Sequence, residues 1–184
     1  MNAERLKETL AQHKIWLDSG HTKGKRANLS GAKLIRAGLS GANLSGAYLL
    51  DADLTEANLI RADLSGADLR EACLGGANLR ASNLYGANLT ASDLRGANLR
   101  ASNLRASNLT GAYLREVNLR GADLSGANLW YTALREANLR EASLTLEFSK
   151  VRYLHNSKVS KEHLPWIMLN PFHSEWFGSL EIFA

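Results

Sequence analysis

From position 29 onward, a leucine stands at every fifth residue: Leu29, Leu34, Leu39 and Leu44, then on through Leu64, Leu84, Leu104 and Leu124 to Leu144. Two residues before each leucine sits a small or short residue. It is Ala in most copies, Ser at Ser82, Ser92, Ser102 and Ser107, Val at Val117 and Thr at Thr132. Between the two, Asn or Asp dominates, as in Asn28, Asn43, Asp53, Asn58 and Asp63. A helix needs apolar residues that follow its 3.6-residue turn, and a lone strand needs alternation. A strict five satisfies neither, because leucines spaced this way would rotate steadily around a helix and never form a buried stripe. The small residue and the leucine, two apart, do point the same way from an extended segment. The remaining residues must turn a corner. Short extended segments joined by corners and repeated with little change predict an all-β solenoid with leucine and the small residue inside.

Three segments would close a coil of 15 residues and four a coil of 20. Reading every twentieth residue favours four: Asn58, Asn78, Asn98, Asn118 and Asn138 fall in one column and Arg80, Arg100, Arg120 and Arg140 in another. Tandem units such as Ala42-Asn43-Leu44-Ser45-Gly46 and Ala97-Asn98-Leu99-Arg100-Ala101 resemble those of the pentapeptide-repeat family. The resemblance covers residues 27–146. It implies a right-handed quadrilateral β-helix of about six 20-residue coils, roughly 29 Å long at about 4.8 Å per layer. A narrow interior filled by leucine and alanine leaves no space for a cofactor, and none is expected. The fifth position is Gly in ten copies, from Gly31 to Gly126. Because Ala, Arg, Asp or Glu takes its place elsewhere, some corners are expected not to need the backbone freedom of glycine.

The ends break the pattern. In residues 1–26, Leu6, Leu10, His13 and Leu17 share one face of an expected helix from about Ala3 to Ser19, which would cap the first coil and cover its unpaired edge. The segment 147–184 loses the count of five and is rich in large apolar residues, among them Phe148, Trp166, Phe172, Trp176, Phe177 and Phe183. Such a segment must leave water, so it is expected to cap the last coil and to form a homodimer contact; relatives often dimerise through this end. Trp130, Tyr131 and Tyr113 are expected to receive it.

The single cysteine, Cys73, excludes an internal disulfide. No run has the length of a membrane span and the N-terminus lacks a signal-peptide pattern, so a cytoplasmic location is the expectation. His155, His163 and His173 are too widely spaced to suggest a metal site. The chain carries +4 overall. The repeats contribute 12 Lys and Arg against 11 Asp and Glu, a net of +1, which disfavours nucleic acid. The residue after the leucine is Arg at Arg95, Arg115 and Arg135 on one expected side and at Arg80, Arg100, Arg120 and Arg140 on the next, making these the candidate surface for a protein partner. Catalysis needs reactive groups held in a concavity, and flat sides around a filled interior offer none. The chain reads as a non-catalytic structural or protein-interaction module. One branch of the resembled family protects DNA gyrase from inhibitors by mimicking duplex DNA. That alternative is disfavoured here, since a mimic should be acidic.

Overall fold

The computed structural model describes residues 1–144, 157–160 and 181–183. Parallel backbone pairs join residues twenty apart throughout the repeats: Asn28 with Tyr48, Lys33 with Asp53, Gly38 with Asn58, Asn43 with Asp63, and so on to Asp123 with Ser143. One circuit therefore takes twenty residues and has four five-residue sides, named below after Asn28, Lys33, Gly38 and Asn43.

The unit Ala77-Asn78-Leu79-Arg80-Ala81 shows why these residues hold this shape. Asn78 N–H donates to the Ala57 carbonyl one circuit back (2.9 Å). Leu79 N–H and Ala81 N–H donate one circuit forward, to Asn98 (2.8 Å) and Arg100 (2.9 Å). Ala77 N–H closes the preceding corner on the Leu74 carbonyl (3.0 Å). Only Arg80 N–H is left, and it donates to Oδ1 of Asn78 (3.3 Å). The central Asn or Asp thus satisfies the one amide that stacking cannot reach, the Asx arrangement of tight turns. The same bond recurs from Asn28 to Asn138.

At the corners the expectation about glycine needs correcting. Every described fifth-position residue from Gly31 to Glu141 has positive φ, the non-glycines included, for example Arg36 (56°), Ala91 (57°), Ala101 (56°) and Tyr131 (59°). The corner geometry is uniform, and the stacked hydrogen bonds hold alanine, arginine and glutamate in a conformation that costs an L-residue about 1–2 kcal/mol. Substitution patterns conceal this because the cost is tolerated rather than avoided.

Inside, Leu29, Leu34, Leu39, Leu44, Leu64, Leu84, Leu104 and Leu124 are buried, none more than 3% exposed, and Leu144 is partly buried. The hydroxyls of Ser82, Ser92, Ser102, Ser107 and Thr132 each donate to the leucine carbonyl three residues before (2.7–2.8 Å).

The helix α1 (Ala3–Asp18) begins at Asn2, whose side chain accepts from Arg5 N–H, and ends at Ser19. Leu6 and Leu10 pack against the core. His13 is fully buried, and its Nδ1 accepts from Ala27 N–H (3.1 Å) at the entry to the first circuit. Lys25 N–H donates to the Gln12 carbonyl (3.1 Å), so α1 is tied to the start of the coil by backbone as well as side chain.

Past Leu144 the count of five stops but stacking does not. Lys158 pairs in parallel with Asn138, twenty residues back, and Lys158 N–H donates to the Ala137 carbonyl (2.8 Å). The adjacent Ser157 is buried, with its hydroxyl donating to the Leu134 carbonyl. Strand β1 (Lys158–Ser160) pairs in parallel with β2 (Glu181–Phe183), which adds a further layer. Phe148, Trp166, Phe172, Trp176 and Phe177 lie outside the described residues, as do His155, His163 and His173; for Phe183 only its backbone place in β2 is described.

Candidate interaction surfaces

With the interior filled, functional chemistry has to be written on the four sides, and the side a charge sits on is set by its position modulo twenty. The Lys33 side carries Arg95, Arg115 and Arg135, each beside a carboxylate. Arg95 forms two hydrogen bonds to Asp93 (2.8 and 2.6 Å). Arg115 reaches Glu116 (3.0 Å) and Glu136 (3.7 Å), and Arg135 reaches Glu136 (3.1 Å). The hydrogen bonds from Arg95 hold the Asp93 carboxyl below its usual range. On the Asn28 side, Arg70 pairs with Asp68 in the same way (2.7 Å).

The Gly38 side is built differently. Its central column is neutral from Asn58 to Asn138, and the corner residues beside Arg80, Arg100 and Arg120 are Ala81, Ala101 and Gly121. Arg120 bonds Glu141 (2.8 Å) and lowers its carboxyl pKa, chiefly through that hydrogen bond, with Arg100 and Arg140 adding field. Among the described residues no carboxylate comes within salt-bridge reach of Arg61, Arg80 or Arg100, all exposed. Over residues 37–141 the side carries Arg61, Arg80, Arg100, Arg120 and Arg140 against Glu141, a net of +4. The opposite, Asn28 side carries Asp51, Asp68 and Glu71 against Arg70, a net of −2. Lys33, Arg36, Arg95, Arg115 and Arg135 on the Lys33 side balance Asp53, Glu56, Asp93, Glu116 and Glu136. The repeat total of +1 therefore averages over sides of opposite sign. Taken as a single figure, the total hides Arg61 and the sorting. The signal lay partly in the residue after the Arg, Ala81 and Ala101 on the Gly38 side against Glu116 and Glu136 on the Lys33 side, and partly in the central column, where Asp93 pairs with Arg95 while Asn78 and Asn98 carry no charge.

The remaining chemistry is sparse. Cys73 is exposed on the Lys33 side, where partial burial and then the nearby Asp53 and Asp93 carboxylates raise its pKa and keep the thiol protonated. Among the described residues no group of His, Cys, Asp and Glu could hold a metal ion, and no described helix is long and apolar enough to cross a membrane. Trp130 and Tyr131 meet edge to face (5.8 Å between centroids) at an exposed corner. Tyr85 and Tyr113 are exposed on the Asn43 and Lys33 sides.

The family model for pentapeptide repeats matches residues 25–59, 47–84, 82–121 and 118–145 in eight copies. Among solved structures, the chain is similar to HetL, a pentapeptide repeat protein involved in heterocyst differentiation regulation from the cyanobacterium Nostoc (38% identity, 64% of this chain and 62% of that one, TM-score 0.32). It is also similar to a pentapeptide repeat protein from the cyanobacterium Cyanothece (34%, 67% and 68%, 0.36). A third similar protein comes from the Arabidopsis thaliana thylakoid lumen (26%, 64% and 64%, 0.32). The match spans less than two thirds of HetL's own length. No curated protein matches the chain.

Proposed function

We propose, starting from the fact that the chain belongs to the pentapeptide-repeat family, that it is a non-catalytic interaction module that binds a protein partner through the outer sides of its coil. The observation that carries this is the filled interior. Residues such as Leu84, Ala87 and Leu89 are fully buried, so a ligand has no way in and specificity has to come from outward side chains. The Arg-bearing sides, with Arg80, Arg100, Arg120 and Arg140 on one and Arg95, Arg115 and Arg135 on the next, are the surface we assign to the partner. In this reading about six coils run between a helical cap at residues 1–26 and the segment 147–184. That last segment caps the far end and joins two copies, and the protein works in the cytoplasm. Duplex mimicry at gyrase is the reading we set aside, because a mimic needs acidic sides and the Gly38 side is +4.

Light scattering on the full chain tests the assembly: twice the chain mass is expected, and a monomer at micromolar concentration would refute the dimer. Chemical cross-linking of the full chain in a cell extract, with cross-linked positions read by mass spectrometry, tests the interaction. Partner cross-links are expected on the outer sides. A purified chain that turns over a substrate, with activity lost on changing one carboxylate, would refute the reading.

A further inference from the structure

We infer that the Gly38 side is a docking strip for an acidic, carboxylate-rich segment of a partner protein, laid lengthwise along Arg61, Arg80, Arg100 and Arg120. The inference rests on the interaction-module reading and names the surface and the partner's chemistry. Three features of the strip point to it.

First, the strip offers donors and little else. The Oδ1 atoms of Asn78, Asn98 and Asn118 are occupied by the N–H groups of Arg80, Arg100 and Arg120 (3.2–3.3 Å). What these columns turn outward is amide N–H and guanidinium, a surface that wants carboxylate or phosphate oxygens. Second, Arg80 and Arg100 are left without an ion pair among the described residues, although Arg95, Arg115 and Arg135 on the adjoining side each have one. Stacked like charges about 4.8 Å apart repel, so a bound anion relieves a repulsion present in the free protein. The Lys33 side has already paired its guanidinium groups internally.

Third, the strip is narrow. Its neighbours are the Lys33 side, net zero, and the Asn43 side, where Asp63 and Asp123 outweigh Arg105. A nucleic-acid duplex is broader than one side of the coil and would bring phosphates over those flanks. Few phosphates would meet an unpaired cation, which makes for weak binding. The strip also lacks aromatic side chains for stacking single-stranded bases. A single extended polypeptide fits along one side and leaves the neutral and acidic flanks alone.

The test uses the full-length protein with a fluorescein-labelled polyglutamate peptide and a labelled DNA duplex as probes, read by anisotropy at low and physiological salt. Two charge-reversed variants are compared, each checked for an unchanged thermal melt: Arg80→Glu with Arg100→Glu on the strip, and Arg70→Glu with Arg105→Glu off it, on the Asn28 and Asn43 sides. The inference expects peptide binding that weakens with salt and falls at least about tenfold in the strip variant. The off-strip variant should change it less than about threefold. Equal losses in the two variants would mean bulk charge alone and would overturn the strip. Tighter binding of the duplex than of the peptide would overturn the partner class. Absence of peptide binding would overturn the inference while leaving the interaction module standing, since that reading is decided by where partner cross-links fall.

Discussion

Leu84 sits at the middle of a ladder with Leu64 one circuit below and Leu104 one circuit above, and all three have no solvent exposure. Leu84→Ala removes three carbon atoms, about 2.4 kcal/mol of transfer free energy at about 0.8 kcal/mol per methylene. The cavity adds to this, because the walls are poorly able to close on it: Leu84 N–H is held to Asn103 (2.7 Å) and Asn83 N–H to Ala62 (2.9 Å), which pins the strand in both directions. The total should lie in the upper part of the range for buried leucines, about 3–5 kcal/mol. Ile35, 53% exposed on the Lys33 side, provides the comparison. Ile35→Ala should cost about 1 kcal/mol or less, since about half of its area stays in water in the folded chain. Urea unfolding of the full chain followed by circular dichroism gives both numbers, provided the slopes of the variants agree, since a stacked array can lose two-state behaviour. A cost for Leu84→Ala below about 1.5 kcal/mol would mean that the interior relaxes freely, and the picture of a rigid filled coil would fail.

The corners, the serine column and the entry helix give further expectations. At Gly96, φ is +67° and nothing lies within 4 Å of an added Cβ, so Gly96→Ala carries only the conformational cost of about 1–2 kcal/mol less about 0.4–1 gained through the unfolded chain, and the melt should fall modestly. Ala101→Gly, at φ 56°, should be neutral or slightly stabilising, and an equal loss in both variants would refute the corner account. Ser92→Ala should lie within about 0.5 kcal/mol of the parent in urea unfolding, because the Leu89 carbonyl keeps the bond from the residue-92 amide (3.1 Å) when the hydroxyl goes. His13 has its pKa held below the ordinary 6.5 by burial foremost, which outweighs an opposing pull from the Ser45 backbone and is reinforced by weaker repulsion from Arg26 and His21. The unfolded chain then binds the proton more readily than the native one. The stability contribution of neutral His13 should be complete above about pH 6.5 and decline as pH falls through that value towards the lower native pKa. Thermal melts across this range should show the decline in the parent and less of it in His13→Leu, whose overall stability drops because Ala27 N–H loses its acceptor. Equal pH dependence in the two would clear His13 of any part.

The coil was legible because one physical requirement repeats without interruption: Leu29 to Leu144 fill an interior at a fixed interval, and no common element other than a cornered strand meets that interval. The entry helix was legible through Leu6, Leu10 and His13, spaced to share one face. The corners were not, because Ala101 and Glu116 look ordinary in sequence while their φ is set by stacking from both sides. Ser157 was hidden for a related reason. It stands twenty residues after Ala137 and takes the small buried position, but the intervening residues do not count in fives, so no local pattern leads to it. The charge sorting lay between these cases. Arg80 and Arg115 look alike until the corner after each is read, and an Ala or a Glu there decides whether the guanidinium stays open or pairs with a neighbour.

All of the side assignments rest on the twenty-residue circuit, which a pair of engineered cysteines reads directly. Asn78 and Asn98 are parallel partners one circuit apart, at a layer spacing of about 4.8 Å, which falls within disulfide reach. In a Cys73→Ser background, Asn78→Cys with Asn98→Cys should oxidise to an intramolecular disulfide, detected as a mass loss of two hydrogens and a linked peptide. Asn78→Cys with Asp93→Cys, fifteen residues apart on adjoining sides, should stay reduced under the same conditions. A disulfide in the second pair and not in the first would mean a three-sided coil, and the sorting of charge by side would fall with it.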